Sequence, residues 1–154
     1  MLETDAGELL TDSMPIVAWI DARWPEGPAL YPADTGARRE VQAFIDFFNL
    51  VWKVPPNALN DGRGDARDRA GWAAQLRGWQ HGFDALLTGR PYLFGDAPGA
   101  ADVCAYPFLR FTTSSDPEDD DLFHGVLIEH LGRDAGRHRR LAAWIERMAE
   151  IPEA

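Results

Sequence analysis

The chain has one cysteine, one lysine and no long apolar run, and each scarcity narrows what it can be. With Cys104 alone no intramolecular disulfide can form, which fits a reducing compartment such as the cytoplasm. Cys104 lies between Val103 and Ala105 in an apolar helical pattern, a setting for a buried structural thiol more than for a nucleophile. Lys53 is the sole lysine, so arginine carries almost all positive charge, and the sequence alone attaches no mechanism to that. Positive charge is short overall, 15 Lys and Arg against 25 Asp and Glu, for a formal net charge of −10. Such a surface repels phosphates, which argues against a nucleic-acid partner. Met1 is followed by Glu3 and Asp5, so no secretory leader is expected, and no stretch reads as a membrane span. His81, His124, His130 and His138 show no metal-ligand spacing with one another or with Cys104, and no metal is assigned.

What is present is the material of a core. A chain of 154 residues that is 45% apolar and 11% aromatic, with six tryptophans, suits one folded domain and not a disordered segment. Residues 1–10 read as a short hairpin around Thr4-Asp5-Ala6-Gly7. A lone hairpin is marginal in water and leaves an open edge. Ser13 is placed to cap a helix with Pro15 in its first turn, and Trp24-Pro25-Glu26-Gly27-Pro28 ends that helix and forms a linker.

Asp34 next caps a long helix in which Val41, Phe44, Ile45, Phe48, Val51 and Trp52 follow the helical period, with Phe47 widening the stripe. Pro55-Pro56 is expected to stop it. A second long helix, about Asp65 to Leu87, places Trp72, Leu76, Trp79, Phe83 and Leu86 on one face. Gly89-Arg90-Pro91 breaks the chain before a central helix from about Ala100 to Thr112, where Pro107 should introduce a kink. After an acidic loop, Leu122 to Leu131 and Arg137 to Ala149 complete the pattern. The fold class is mainly α: a hairpin and one helix, then a bundle of about five helices.

Three groups of residues could carry function. Asp12-Ser13 stands at a helix start, where the Ser13 hydroxyl and the helix amides suit a carboxylate and Asp12 suits an ammonium; taken alone, the pair is better explained as an ordinary cap. If Gly99 caps the central helix, Asp102 falls at its third position and can reach back to the Gly99 N–H, a folding role. The acids Asp116, Glu118, Asp119, Asp120 and Asp121 lack the spacing of a calcium loop and suit the start of the helix that follows.

In order and spacing, the Leu9-Leu10-Thr11-Asp12-Ser13-Met14-Pro15-Ile16 run and the Tyr92–Arg110 segment YLFGDAPGAADVCAYPFLR resemble glutathione transferases. The resemblance covers nearly the whole chain. It implies a remnant of the thioredoxin-like, glutathione-binding domain over 1–24, a linker over 25–33 and the all-helical C-terminal domain over 34–154. It implies that Asp12 and Ser13 hold the γ-glutamyl end of glutathione, the co-substrate, whose thiol attacks an electrophilic apolar molecule. Phe44, Phe47, Phe48 and Trp52 would line the pocket for that molecule, although an aromatic stripe also suits a core or a dimer interface. Where the family has Ser or Thr at the cap, this chain has Gly99. The family's thiol-activating residue has no counterpart here, so no catalytic residue is assigned: the chain reads as truncated and its conjugating activity as impaired. A homodimer is expected from the family. The alternative is a non-catalytic helical module for association or apolar ligands.

Overall fold

The computed structural model describes residues 1–151, with side chains throughout except at 133–135. Strands β1 (Leu2–Glu3) and β2 (Leu9–Leu10) pair antiparallel, Leu2 opposite Leu10 and Glu3 opposite Leu9. Gly7, at φ 78°, takes the left-handed turn position, and the Thr4 hydroxyl accepts the Glu8 N–H at 3.1 Å.

Helix α1 (Ser13–Arg23) follows. Its N-cap is Asp12, not Ser13: Asp12 has the extended backbone of a cap, and its carboxylate accepts the Ser13 N–H at 2.7 Å. Ser13 is instead the first helical residue. Pro15 is tolerated because amides of the first turn have no partner within the helix. Beyond α1 the linker is tied down at Leu30. Leu30 donates its N–H to Asp21 at 2.6 Å, and its carbonyl accepts the Ala100 N–H at 2.8 Å.

Helix α2 (Thr35–Phe47) is capped by Asp34 as its sequence indicates, the carboxylate accepting the Ala37 N–H at 2.8 Å. The stripe expected to stay α-helical to Trp52 changes to a π-helical turn over Phe48–Trp52. Pro55-Pro56 does not stop the chain's helical course. The pair sits in the first turn of α3 (Val54–Asn60), where a missing N–H costs nothing. The bundle therefore has six α-helices after the linker among the described residues, one more than the hydrophobic pattern suggested.

Helix α4 (Ala66–Leu86) opens on a reciprocal box: Asp65 accepts the Arg67 and Asp68 N–H groups, and Asp68 accepts that of Asp65. Gly64 before it has φ +74°, and a Cβ there would lie 2.7 Å from the Trp72 ring, so no side chain fits. Helix α5 (Ala100–Leu109) runs through Pro107 and passes into a 3₁₀ turn over Arg110–Thr112. Helices α6 (Leu122–Leu131) and α7 (Arg139–Ala149) follow, joined by a 3₁₀ turn over Gly132–Arg137.

The core gathers around α5. Ala100, Ala101 and Ala105 are at most 1% exposed, and such small side chains let neighbouring helices approach closely. On one side Phe48 and Trp52 stack at 4.4 Å between ring centroids, with Phe83 and Phe108 against them. On the other side α7 contributes Leu141, Trp144, Ile145 and Met148. The start of α7 is anchored inward. His138 is buried, and Arg140 pairs with Asp84 of α4 at 2.7 Å.

Candidate ligand-binding site

Asp12 and Ser13 lie exposed at the N-terminus of α1, an 11-residue helix. The Asp12 carboxylate accepts the Ser13 N–H, and the Ser13 hydroxyl lies 3.4 Å from the same oxygen. An accessible carboxylate and hydroxyl at the positive end of a helix dipole offer complementary contacts to a zwitterionic amino-acid group.

Helix α1 packs against α5, which in turn meets the π-helical turn. The Cys104 thiol donates toward the Asn49 carbonyl oxygen at 3.9 Å. Burial pushes that thiol up to about 11, against smaller opposing effects of the Lys53 charge and the Asn49 contact, with the Asp12 charge adding a little to the rise. The thiolate is therefore scarce at neutral pH, and Cys104 is no nucleophile. Lys53 places its ammonium 4.3 Å from the Phe108 centroid and 6.0 Å from that of Phe48. In the sequence Asn49 and Phe108 carry no signal, and Lys53 stands out only as a solitary lysine closing an aromatic-rich helix.

The four aromatic residues of α2 and its π-helical turn divide. Phe44 and Phe47 border a shallow groove of about 350 Å³ with Trp79, Gly82, Phe83 and Leu86, between α2 and α4. Phe48 and Trp52 are 0% exposed and belong to the core. Because the π turn keeps both rings inward, they form the back of the neighbourhood around Lys53 and no open wall.

Gly99 and Asp102 act together at the start of α5. Asp102 accepts the Gly99 N–H at 2.9 Å, the half of a capping box that needs no side chain at the cap. Its other oxygen accepts the Leu93 N–H at 2.9 Å and the Trp144 indole N–H at 2.8 Å. Desolvation raises the Asp102 pKa; the three N–H donors oppose that rise without cancelling it. Glycine at the cap has a steric reason: a Cβ on Gly99 would meet the Leu30 carbonyl oxygen at 3.0 Å. A cavity of about 250 Å³ lies between the 29–33 linker and the 94–102 segment, with Tyr31, Val41 and Phe94 among its lining residues.

In the acidic loop the charges are used locally. Asp121 caps α6 by accepting the Phe123 and His124 N–H groups, and Asp119 meets His124 Nδ1 at 2.7 Å. The Asp121 backbone N–H and then His124 hold the Asp119 carboxyl below its ordinary range. Among the described residues no three His, Cys, Asp or Glu side chains converge on a common metal position, and no helix is long and apolar enough to cross a membrane.

A helical bundle around a buried central helix, entered through a turn locked by an N3 acid and preceded by a hairpin and a capped helix, defines a C-terminal helical domain of the transferase type. Residues 65–147 match the family model described as glutathione S-transferase, C-terminal domain. The chain belongs to the glutathione S-transferase family. It is 30% identical over 150 residues to a probable glutathione S-transferase from Oryza sativa subsp. japonica, an alignment covering 92% of this chain and 60% of that protein. The fold is similar to that of the Tau class glutathione S-transferase of mango, Mangifera indica, with a TM-score of 0.71 at 18% identity, covering 93% of this chain and 62% of that one. It is also similar to a theta class glutathione S-transferase of Xanthomonas axonopodis pv. citri with glutathione bound, at a TM-score of 0.62 and 22% identity, covering 90% of this chain and 67% of that one. The chain thus spans about 60% of the length of the curated relative it matches.

Proposed function

We propose that this chain forms the helical part of a glutathione transferase, with residues 1–24 completing the glutathione-binding domain, 25–33 the linker and 34–154 the helical domain. Asp12 and Ser13 hold the γ-glutamyl end of glutathione, Asp12 pairing with its ammonium and Ser13 with its carboxylate. The observation that carries the reading is the exposure of this pair at the N-terminus of a helix that packs beside α5. An electrophilic apolar co-substrate then lies toward the helix that bears Phe44, Phe47, Phe48 and Trp52. Glutathione sulfur attacks its electrophilic carbon, a C–S bond forms, the leaving group departs with its electron pair, and the thiol proton passes to solvent. No residue of this chain is assigned as the thiol-activating group. The lone buried thiol is compatible with a cytoplasmic setting.

Calorimetric titration with glutathione tests this. Saturable binding that weakens at least tenfold in Asp12→Ala and Ser13→Ala supports it; no heat, or binding indifferent to both changes, refutes it.

A second reading, a non-catalytic module for association or apolar ligands, draws support from the groove bordered by Phe44, Phe47 and Trp79. A homodimer through that groove would dissociate in Phe47→Glu, read by sedimentation; an unchanged oligomeric state refutes it.

A further inference from the structure

A cavity of about 350 Å³ opens where α3, α4 and α6 pack together, on elements that the Asp12–Ser13 pair does not share. Leu59 of α3, Ala73 of α4 and Val126 of α6 give it aliphatic lining, and two residues of opposite charge complete it, Arg69 from α4 and Glu129 from α6. Arg69 and Ala73 are four residues apart, Val126 and Glu129 three, so the helical period brings each pair to one face. Arg69 is positioned before any ligand arrives. Its Nη2 donates to the Gly62 carbonyl at 2.7 Å and its Nε to that of Gly64 at 3.4 Å, so the loop before α4 holds the guanidinium in place. Among the described residues no carboxylate pairs with it, Glu129 included, in a chain that carries 25 acidic side chains. Neutral carbonyls thus fix this cation without offsetting its charge.

We propose that this cleft binds a small zwitterion, an α-amino acid with a branched aliphatic side chain. The ligand carboxylate takes N–H groups of Arg69 that the loop leaves unused, a charge-assisted pairing suited to the planar guanidinium. The ligand ammonium meets the Glu129 carboxylate, and the ligand side chain lies against Leu59, Ala73 and Val126. The volume is that of a pocket for a small molecule and too little for a folded partner. A plain anion leaves Glu129 unmatched and a plain cation leaves Arg69 unmatched, so the two walls together select a molecule carrying both charges. The site is independent of the transferase reading.

Calorimetric titration with L-leucine at pH 7.5 tests this, beside two controls of similar shape. One is 4-methylpentanoate, which lacks the ammonium; the other is 3-methylbutylamine, which lacks the carboxylate. Leucine should bind saturably and at least fivefold more tightly than either control. Arg69→Gln should bring leucine down to the affinity of the amine, and Glu129→Gln to that of the carboxylate. Because Arg69 also holds the loop before α4, Arg69→Gln can cost stability; Glu129→Gln changes an exposed side chain and decides the matter without it. No saturable leucine binding, equal affinities for the three ligands, or leucine binding unchanged in Glu129→Gln would each overturn the proposal. The Asp12 and Ser13 variants separate this site from the first. Leucine binding that persists in Asp12→Ala and Ser13→Ala supports a distinct cleft, whatever becomes of glutathione binding. Leucine binding abolished in both would place it at that pair and overturn the proposal.

Discussion

Asp102 of α5 accepts the indole N–H of Trp144 of α7 at 2.8 Å, and both residues are at most 1% exposed. The same carboxylate also takes the backbone N–H groups of Leu93 and Gly99. One acid thus ties together the turn before α5, the start of α5 and the last helix. Its removal strands three donors, two of them in the buried region, and each unsatisfied buried group costs about 1–3 kcal/mol. Asp102→Ala should therefore lower stability by about 3 kcal/mol or more in urea unfolding. A loss under about 1 kcal/mol would show that Asp102 does not hold these elements together.

The raised Asp102 pKa carries a pH signature. Its folded value lies above its unfolded value, chiefly through desolvation, so the folded state binds the proton more tightly. Stability from this group is then complete below the unfolded pKa and declines as pH rises through the folded pKa. The advantage of the parent over Asp102→Asn should shrink as pH rises from about 4 toward neutrality. An advantage that grows with pH, measured by denaturant unfolding at stepped pH, contradicts the assignment.

Asp84 of α4 caps α7 from a distance, accepting the Arg140 and Leu141 N–H groups at 2.8 and 3.0 Å. It also pairs with the Arg140 guanidinium, whose side chain is 51% exposed. The two roles differ in weight, because a half-exposed ion pair contributes at most about 1 kcal/mol while stranded helix amides cost more. Asp84→Ala should destabilise by about 2–3 kcal/mol, clearly more than Arg140→Ala. Equal losses in the two variants would mean that the ion pair, not the cap, joins the helices.

Restoring the family-type hydroxyl at the α5 cap should fail. Serine gains only a few tenths of a kcal/mol over glycine as a cap. Its Cβ would press on the Leu30 carbonyl oxygen at 3.0 Å, and overpacking costs about 1–3 kcal/mol. Gly99→Ser is expected to lower the melting temperature by several degrees, and a rise would show that the linker yields freely.

Cys104 should resist thiol reagents. Raising a thiol from 9.0 to about 11 lowers its thiolate fraction at neutral pH about a hundredfold. Reaction with a chromogenic disulfide at pH 7.5 should be slow in the folded protein and rise steeply in denaturant. Equal rates would place the thiol in solvent.

Much of this architecture was readable because it is local. Helical spacing marked α2, α4, α6 and α7; Asp34 and Asp102 announced their caps through their distance from the residues they serve. The Tyr92–Arg110 segment identified the family for the same reason, since its turn, cap and acid are all near neighbours in the chain. The errors were local ambiguities. Pro55-Pro56 can end one helix or begin the next, and Asp12 and Ser13 are both good caps, so only the backbone angles of Asp12 decided between them.

The sequence by itself determined the long helices α2, α4, α5, α6 and α7, their order, the family and the acid at Asp102, because these follow from contacts within a turn or two. Tertiary structure alone decided what depends on distant partners. It joined Asp102 to Trp144 and Asp84 to α7, and set Gly99 against Leu30. It divided the aromatic stripe between core and groove, and set Lys53 against the Phe108 ring. Pairings between residues about 40 or more positions apart, such as those of Asp102 and Asp84, depend on how helices pack, and periodicity along one helix carries no record of that.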